Sequence, residues 1–431
     1  MVDTIFAQAS AKGRAGVAVI RLSGPRARFA LESLAGPPPA ERRAALRAVR
    51  DGAGALIDEA LVLWFPGPRS FTGEDVAELH LHGGPAISRA VFAALEGMDG
   101  LRLAEPGEFT RRALLNGRMD LAQVEGLGDL LAAETEAQRR QALALMRGAL
   151  SGRAADWRAE LVRCLAHMEA SIDFADDDLP ADVLDPVAGA LRAVAGDIRR
   201  ALRGGRISER LREGFEVALV GAPNAGKSTL LNRLAGREAA ITSAIAGTTR
   251  DVIEVRMDLG GLPVTLLDMA GLRGAEEEVE RIGVARARER AEAADLRVFL
   301  VEAATEVAAL GVPRREGDVV VLSKGDLRGD TAGLAVSGRT GAGIVALLAT
   351  LEAELADRVA GASGVAHERQ ARALDRAADA LDHAGTALAE GRVEIAVAEV
   401  RGALRALDFL VGKVDVEAVL DLVFQSFCLG K

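Results

Sequence analysis

The residues best suited to chemistry in this 431-residue chain are concentrated between positions 215 and 341. FEVALVGAPNAGKSTLLNRLAG (215–236) runs an apolar strand into a glycine-framed loop and then a helix. Gly221, Gly226, Lys227 and Ser228 keep the spacing G-x-x-x-x-G-K-S. That spacing turns successive backbone N–H groups toward one point with a helix N-terminus behind them, a cradle for phosphates. Lys227 would reach the β- and γ-phosphates and is a catalytic candidate; Ser228 would ligate Mg²⁺. Asn224, Ala225 and Thr229 complete the loop, and Asn224 is a candidate ligand for a second, monovalent cation. A lone glycine-rich turn can arise by chance, but here the strand before it and the helix after it are both written in the sequence.

Further motifs follow in order. AGTTRD (246–251) supplies Thr249, whose hydroxyl can ligate Mg²⁺ and sense the γ-phosphate. VTLLDMAG (264–271) is an apolar strand ending in D-x-x-G. Asp268 would hold the magnesium shell and the Gly271 N–H would meet the γ-phosphate, with Met269 and Ala270 between them. VVVLSKGD (319–326) ends another apolar strand. Asp326 can accept from N1–H and the 2-amino group of guanine, an edge adenine lacks, with Lys324 beside it. Ser323 stands where this motif usually has Asn. AVSGRTG (335–341) adds Ser337, Gly338 and Arg339 around the base. The residue after D-x-x-G is Leu272, which cannot polarise water, so hydrolysis needs another group. Arg250, Arg273 and Glu280 are the nearby candidates; spacing alone favours a solvated surface role for Arg273 and Glu280.

Strands and helices must alternate from 214 to 357 to place each motif at a strand's carboxyl end, the pattern of a mostly parallel α/β sheet. Before it, residues 1–118 read as an α+β block with strands at VAVIRL (17–22), LVLWF (61–65) and VAELHLH (76–82). Residues 119–213 and 358–431 read as two helical blocks, so the phosphate-binding domain is expected as an insertion in a helical host. In VAELHLHGG, Glu78, His80 and His82 share one strand face. A carboxylate there suits an amino-and-amide ring edge, although a solvated polar face is the commoner outcome. The two histidines lack an evident third ligand, so no metal is expected.

Composition narrows the class. The net charge is −10, which excludes a bulk electrostatic grip on nucleic acid and leaves a local basic patch or a partner to supply one. With no Tyr and two Trp, platforms for stacking bases are scarce. Cys164 and Cys428 are too far apart in sequence for a zinc or C-x-x-C spacing, so a reducing, cytoplasmic setting is expected. No apolar run approaches the roughly 18 residues of a membrane span. Cys164 reads as core. Cys428 follows a run in which Val416, Val419, Val423 and Phe427 share a helical face, and an inert thiol and a reactive one stay equally open.

GAPNAGKS, AGTTRD, DMAGLR, VERIG (279–283), FTGEDVAELHLHGGP (71–85), PGEFTRRALLNGRMDLAQVE (106–125) and the terminal FCLGK (427–431) resemble, end to end, the MnmE (TrmE) family of tRNA-modification GTPases, within the TrmE-Era-EngA-YihA-Septin-like superfamily. The resemblance implies an N-terminal domain that binds 5-formyl- or 5,10-methylenetetrahydrofolate and drives homodimerisation. It implies a helical domain made of both helical blocks and an inserted Ras-like G domain that binds GTP and GDP. With the flavoprotein MnmG (GidA), which carries the FAD, in a heterotetramer or larger complex, such proteins install an aminomethyl-type group, carboxymethylaminomethyl included, at C5 of the wobble uridine (position 34) of certain tRNAs. Hydrolysis would be activated by K⁺-dependent pairing of G domains.

By motif, Asn224, Ser243, Ile245 and Thr248 would surround K⁺, within a GTP-binding loop that takes in Ala244, Ala246 and Gly247. Ser228 and Thr249 would hold Mg²⁺. Glu280 would orient the attacking water through a bridging water, and Arg250 remains a catalytic candidate. Arg21, Glu78, Arg118 and Lys431 match folate-contacting positions, Arg118 standing where Lys is common, and Cys428 is a possible tRNA-modification residue. A switch for ribosome assembly and a folate-binding scaffold with a silent G domain are the competing readings. FCLGK and the folate-like block disfavour the first; Ser323, Met269 and Leu272 leave room for the second.

Overall fold

Strict alternation in the N-terminal strands produces a two-faced sheet. The computed structural model describes residues 3–173, 184–237, 240–241, 254–269, 288–328, 333–359 and 364–414, with 424, 427 and 430. Its first sheet contains β1 (Thr4–Gln8), β2 (Ala15–Ser23), β3 (Ala45–Arg50), β4 (Leu56–Phe65), β5 (Val76–Gly83) and β6 (Leu101–Leu103), in the order β3-β4-β5-β2-β1-β6. Only the β1–β6 pairing is parallel. Helices Ala27–Ala35 and Pro85–Glu96 pack on one face, where Phe6, Ile20, Leu22, Val62, Leu79 and Leu81 form the core. On the other face Ile5 and Ala7 pack with Ala104 and with Phe109 of helix Glu108–Leu115. The three strands read from sequence are present; β1, β3 and β6, which are short or charged, are additional.

The second sheet contains β7 (Phe215–Val220), β8 (Glu254–Leu259), β9 (Leu262–Asp268), β10 (Leu296–Val301) and β11 (Val319–Leu322), in the order β11-β10-β7-β9-β8. Four strands are parallel and β8 closes one edge antiparallel to β9, the mostly parallel sheet expected of the Ras-like block. Its strands are apolar on both faces, as burial beneath two helical layers requires. β10 is fully buried and carries Arg297, whose guanidinium pairs with buried Asp318 at 2.9 Å.

Helices Asp185–Glu213 and Glu368–Ala389 flank this sheet in sequence and pack together, with Leu191, Val194 and Ile198 buried on one and Leu374, Ala377, Leu381 and Ala384 on the other, while Leu211 joins the core of the sheet. Cys164 is buried in helix Ala149–Asp173, and burial raises its thiol pKa, the core role expected. The chain divides into two compact units, Met1–Gly128 with Ser151–Ala155 and Arg405–Lys431, and Asp129–Leu150 with Asp156–Leu404. In the first, Phe424 and Phe427 close a small core with Leu121 and Val124, and Gly430 lies against the backbone of Gln8 and Ala9. Among the described residues no helix is long and apolar enough to cross a membrane.

Candidate functional site

The phosphate loop is shaped by close backbone approaches. Gly221 ends β7 where a Cβ would stand 2.5 Å from the Leu300 carbonyl of β10, so only glycine lets the chain turn there. Asn224 and Gly226 both adopt positive φ, +62° and +96°, before helix Lys227–Ala235 begins. Lys227 is buried, and its Nζ donates to the Gly221 and Ala222 carbonyls at 2.9 and 3.0 Å. Burial lowers its pKa, against the opposing attraction of Asp268.

Asp268, at the carboxyl end of β9, accepts from Ser228 Oγ at 2.7 Å through Oδ2. Its Oδ1 is buried without a partner among the described residues. A hydroxyl and a carboxylate oxygen joined in this way, with a buried acceptor to spare, form a donor set that fits a hard divalent cation.

A cleft of about 470 Å³ adjoins the loop, lined by Asn224, Gly226 and Thr229 on one side and by Ser323, Asp326 and Arg339 on another. Gly338 approaches helix Lys227–Ala235 so closely that a Cβ would meet the Leu230 nitrogen at 2.8 Å. The two sequence motifs, more than a hundred positions apart, are thereby brought to one cavity. Asp326 is paired with Arg339, Nη2 to Oδ2 at 2.6 Å. Hydrogen bonds from Ser337 and then Arg339 hold its carboxyl below the usual range. The Ser323 hydroxyl is buried and unpartnered among the described residues. Lys324, at φ +57°, turns its ammonium to Glu302 (2.5 Å).

Not every expected residue faces the cleft. The Met269 side chain packs into the core with Ala218, Val220 and Leu267, so only its backbone is available, whereas Ala225, though buried in the opposite core, still lines the cleft. Leu300, Leu327 and Val336 line the cleft without having been singled out in the sequence; their one signal is a place at or just beyond a strand end. Ser243, Ala244, Ile245, Ala246, Gly247, Thr248, Thr249, Arg250, Ala270, Gly271, Leu272, Arg273 and Glu280 lie outside the described residues.

The N-terminal sheet offers a second candidate. Cross-strand register sets Leu63, Glu78, Arg21 and Ala7 in one row. Arg21 Nε donates to Glu78 Oε1 at 2.9 Å, and His80 Nε2 lies 3.2 Å from Glu78 Oε2. The Arg21 guanidinium rests over Phe71 and Phe109, 5.4 and 5.8 Å from the ring centres. Exposed Arg118 lies beside Gly73, two residues from Phe71. Thus Arg21 and Glu78 are brought together, and His80 with them. Lys431 and Cys428 are outside the described residues. Among the described residues no cluster of three or more His, Cys, Asp or Glu could hold a metal.

Below this face a charged network missed by sequence reading ties the loop to the helix. Ser23 Oγ and Thr72 Oγ1 lie 2.7 Å apart, Ser23 Oγ donates to Glu74 (2.7 Å), and Arg112 bridges Glu74 (3.0 Å) and Glu108 (3.1 Å). Burial pushes the Glu108 carboxyl up, but hydrogen bonds from Arg102, the Glu105 backbone and Arg112 outweigh it and hold the pKa low.

Strand order, the phosphate loop and the Asp326 carboxylate in the adjoining cleft together define the class: a P-loop GTPase domain set within a larger chain. A family model described as the MnmE helical domain matches residues 121–428, and one described as the GTP-binding protein TrmE N-terminus matches 4–118. The chain is similar to proteins named tRNA modification GTPase MnmE from Ruegeria pomeroyi (56% identical over 432 residues), Cereibacter sphaeroides (55% over 432) and Paracoccus denitrificans (52% over 434), each alignment covering 100% of both chains. Among solved structures, the G domain of the T. maritima FeoB iron transporter is 21% identical over 33% of this chain and 98% of that one, with a TM-score of 0.26. The chain belongs to the MnmE family; it is a GTP-hydrolysing protein with a role in tRNA modification.

Proposed function

We propose that the chain hydrolyses GTP in the cleft beside Gly221 to drive one-carbon modification of the wobble uridine, position 34, of certain tRNAs. The carrying observation is the arrangement of three groups around one cavity: buried Lys227 bonded to loop carbonyls, Asp268 with a buried oxygen that has no partner among the described residues, and Asp326 in the adjoining cleft. Lys227 moves from the Gly221 and Ala222 carbonyls to the β- and γ-phosphates. Asp326, released from Arg339, accepts from the guanine edge; Ser337, Gly338, Ser323 and Lys324 support the base. Ser228 and Thr249 hold Mg²⁺, which when bound neutralises charge developing on the phosphates. Asn224 with Ser243, Ile245 and Thr248 holds K⁺ as two G domains pair, and Glu280 and Arg250 act on the attacking water and the phosphates.

The N-terminal face takes the folate, a 5-formyl- or 5,10-methylene form, through Arg21, Glu78, Arg118 and Lys431; a carboxylate fixed by a guanidinium presents two acceptors to a pterin edge. The same face supports homodimerisation. Leu46, Leu61, His80 and Val19 form one row across four strands, and Leu46 and Leu61 are exposed. Cys428 is held for a role near the folate, FAD resides on the partner MnmG, and the setting is the cytoplasm. The domains are 1–118, 119–213 with 358–431, and the inserted 214–357.

Two measurements test this reading. GTP turnover should be faster in K⁺ than in Na⁺, and equal rates reject cation-assisted pairing. Nucleoside analysis of tRNA from a deletion strain should show wobble uridine lacking its C5 group, and an unchanged nucleoside rejects the modification role.

A further inference from the structure

Residues 129–150, helical but outside the sheet, make a contact that the nucleotide chemistry does not use. β8 and β9 form a hairpin with register Glu254↔Leu267 through Leu259↔Leu262, closed by Gly260–Gly261. The far end of β9 is Asp268, bonded to Ser228, so one seven-residue strand, about 20 Å long, spans from the phosphate loop to the hairpin turn. At that turn the Gly261 carbonyl accepts from the Ala137 N–H at 3.1 Å. Ala137 is the second residue of helix Glu136–Met146, and it is half-buried against the core of the second sheet.

The same helix grips the chain segment by which the sheet domain is entered from its host, and that segment in turn holds the return segment. Gln138 Nε2 donates to the Arg212 carbonyl (2.9 Å) and Gln141 Nε2 to the Ser208 carbonyl (2.8 Å), both in the last turns of helix Asp185–Glu213, which runs directly into β7. On the return segment Gly364 N donates to Ser208 Oγ (3.2 Å), and Arg212 Nε donates to the Ala366 carbonyl (2.9 Å). Turn and entry thus meet on one short helix, and the exit is tied to the same two entry residues, Ser208 and Arg212. Gln141 Oε1 is left buried with no partner among the described residues, a bond that another arrangement of the joint would make. β8 is an edge strand, paired along its length with β9 and bridged on its outer side at Ala240–Met257, so the turn is joined to the sheet chiefly through β9.

We propose that the Gly260–Gly261 turn and the first turns of helix Glu136–Met146 form the joint by which the nucleotide state of the cleft reaches the helical part of the chain, with Ala137 and Gln141 as positioning residues. The proposal rests on the reading that Asp268 senses the bound nucleotide. A change at Asp268 moves β9 along its length, and the Gly261 carbonyl carries that movement to the helix through the Ala137 N–H.

Ala137→Pro tests it in the full chain. Proline is accepted in the first turn of a helix, so the substitution removes the one donor and keeps the helix. Hydrogen–deuterium exchange is read over residues 136–146 with GDP and with GDP plus aluminium fluoride, in Mg²⁺ and K⁺. In the unaltered chain the two states should differ in exchange rate by about fivefold. Ala137→Pro should abolish that difference and sharply reduce wobble-uridine modification in cells, while GDP affinity and GTP turnover stay within about twofold of the unaltered chain. Gln141→Leu, which deletes the Ser208 contact, should act in the same direction and replaces the proline variant if that one fails to fold. Equal exchange in both states of the unaltered chain overturns the joint, as does a variant that keeps both the difference and the modification. A chain that binds no GDP brings down the cleft reading, and the joint with it, a result separate from either of these.

Discussion

The nucleotide cleft and the charged network of the N-terminal unit are each built around a buried cation, Lys227 or Arg112, but their bonds are completed differently. Glu74, Glu108, Arg102, Arg112 and Asp3 satisfy one another, and the result is a loop fixed to a helix. In the cleft, burial lowers the Lys227 pKa against the attraction of Asp268, one oxygen of Asp268 has no partner among the described residues, and neither has the Ser323 hydroxyl. A scaffold completes its polar bonds from within, whereas a binding site leaves some to be completed by what it binds. The Arg21–Glu78 face lies between the two: its charges are paired, yet they remain partly exposed on a face with apolar neighbours.

Substitutions can sharpen or break that contrast. Lys227→Ala removes the cation seated in the phosphate loop and should lower GTP turnover about 10²–10³-fold. It should leave thermal stability near that of the unaltered chain, because burial works against the charged lysine; a large loss of stability would mean that the cleft is scaffold. Asp326→Asn reverses a donor–acceptor match and should weaken GDP binding about 100-fold while favouring xanthosine diphosphate. Competition titration would show this, and unchanged GDP affinity would remove the base assignment.

In the N-terminal unit the expectation inverts. Arg112→Met leaves Glu74 and Glu108 without their shared cation and should cost about 2–3 kcal/mol of stability in denaturant titration, with GTP turnover unaffected. A smaller effect is the pH dependence of that unit. The Glu108 pKa is lower folded than unfolded, so its contribution is present above the ordinary value of 4.5 and lost as pH falls below it. The melting temperature should therefore drop below that pH, and Glu108→Gln should flatten the drop; an unchanged acid limb would show that the network does not stabilise the fold.

The same contrast explains what sequence could reveal. Gly221 to Ser228 is one continuous stretch whose chemistry is local, and Asp268 and Asp326 each end an apolar strand, so the cleft was readable as an ordered series of strand ends. The network joining Ser23, Thr72, Glu74 and Arg112 spans up to 89 positions and leaves no periodic trace. β3 and β6 were hidden for a related reason: ALRAVR carries two arginines on an edge, and LRL is three residues long. Arg297 reads as a break in the apolar strand LRVFLV and is explained only by Asp318, 21 residues later. Met269 reads as part of a nucleotide motif, but β9 turns its side chain into the core.

The central claim is that one cleft, bounded by the loop at Gly221 and the carboxylate of Asp326, receives a guanine nucleotide. Titrating the full chain with fluorescent GDP in excess Mg²⁺, then competing with unlabelled GDP or ADP, tests this most directly. The account predicts one site per chain, emptied by GDP and left filled by ADP. Equal displacement by the two nucleotides, or no binding at all, would contradict it.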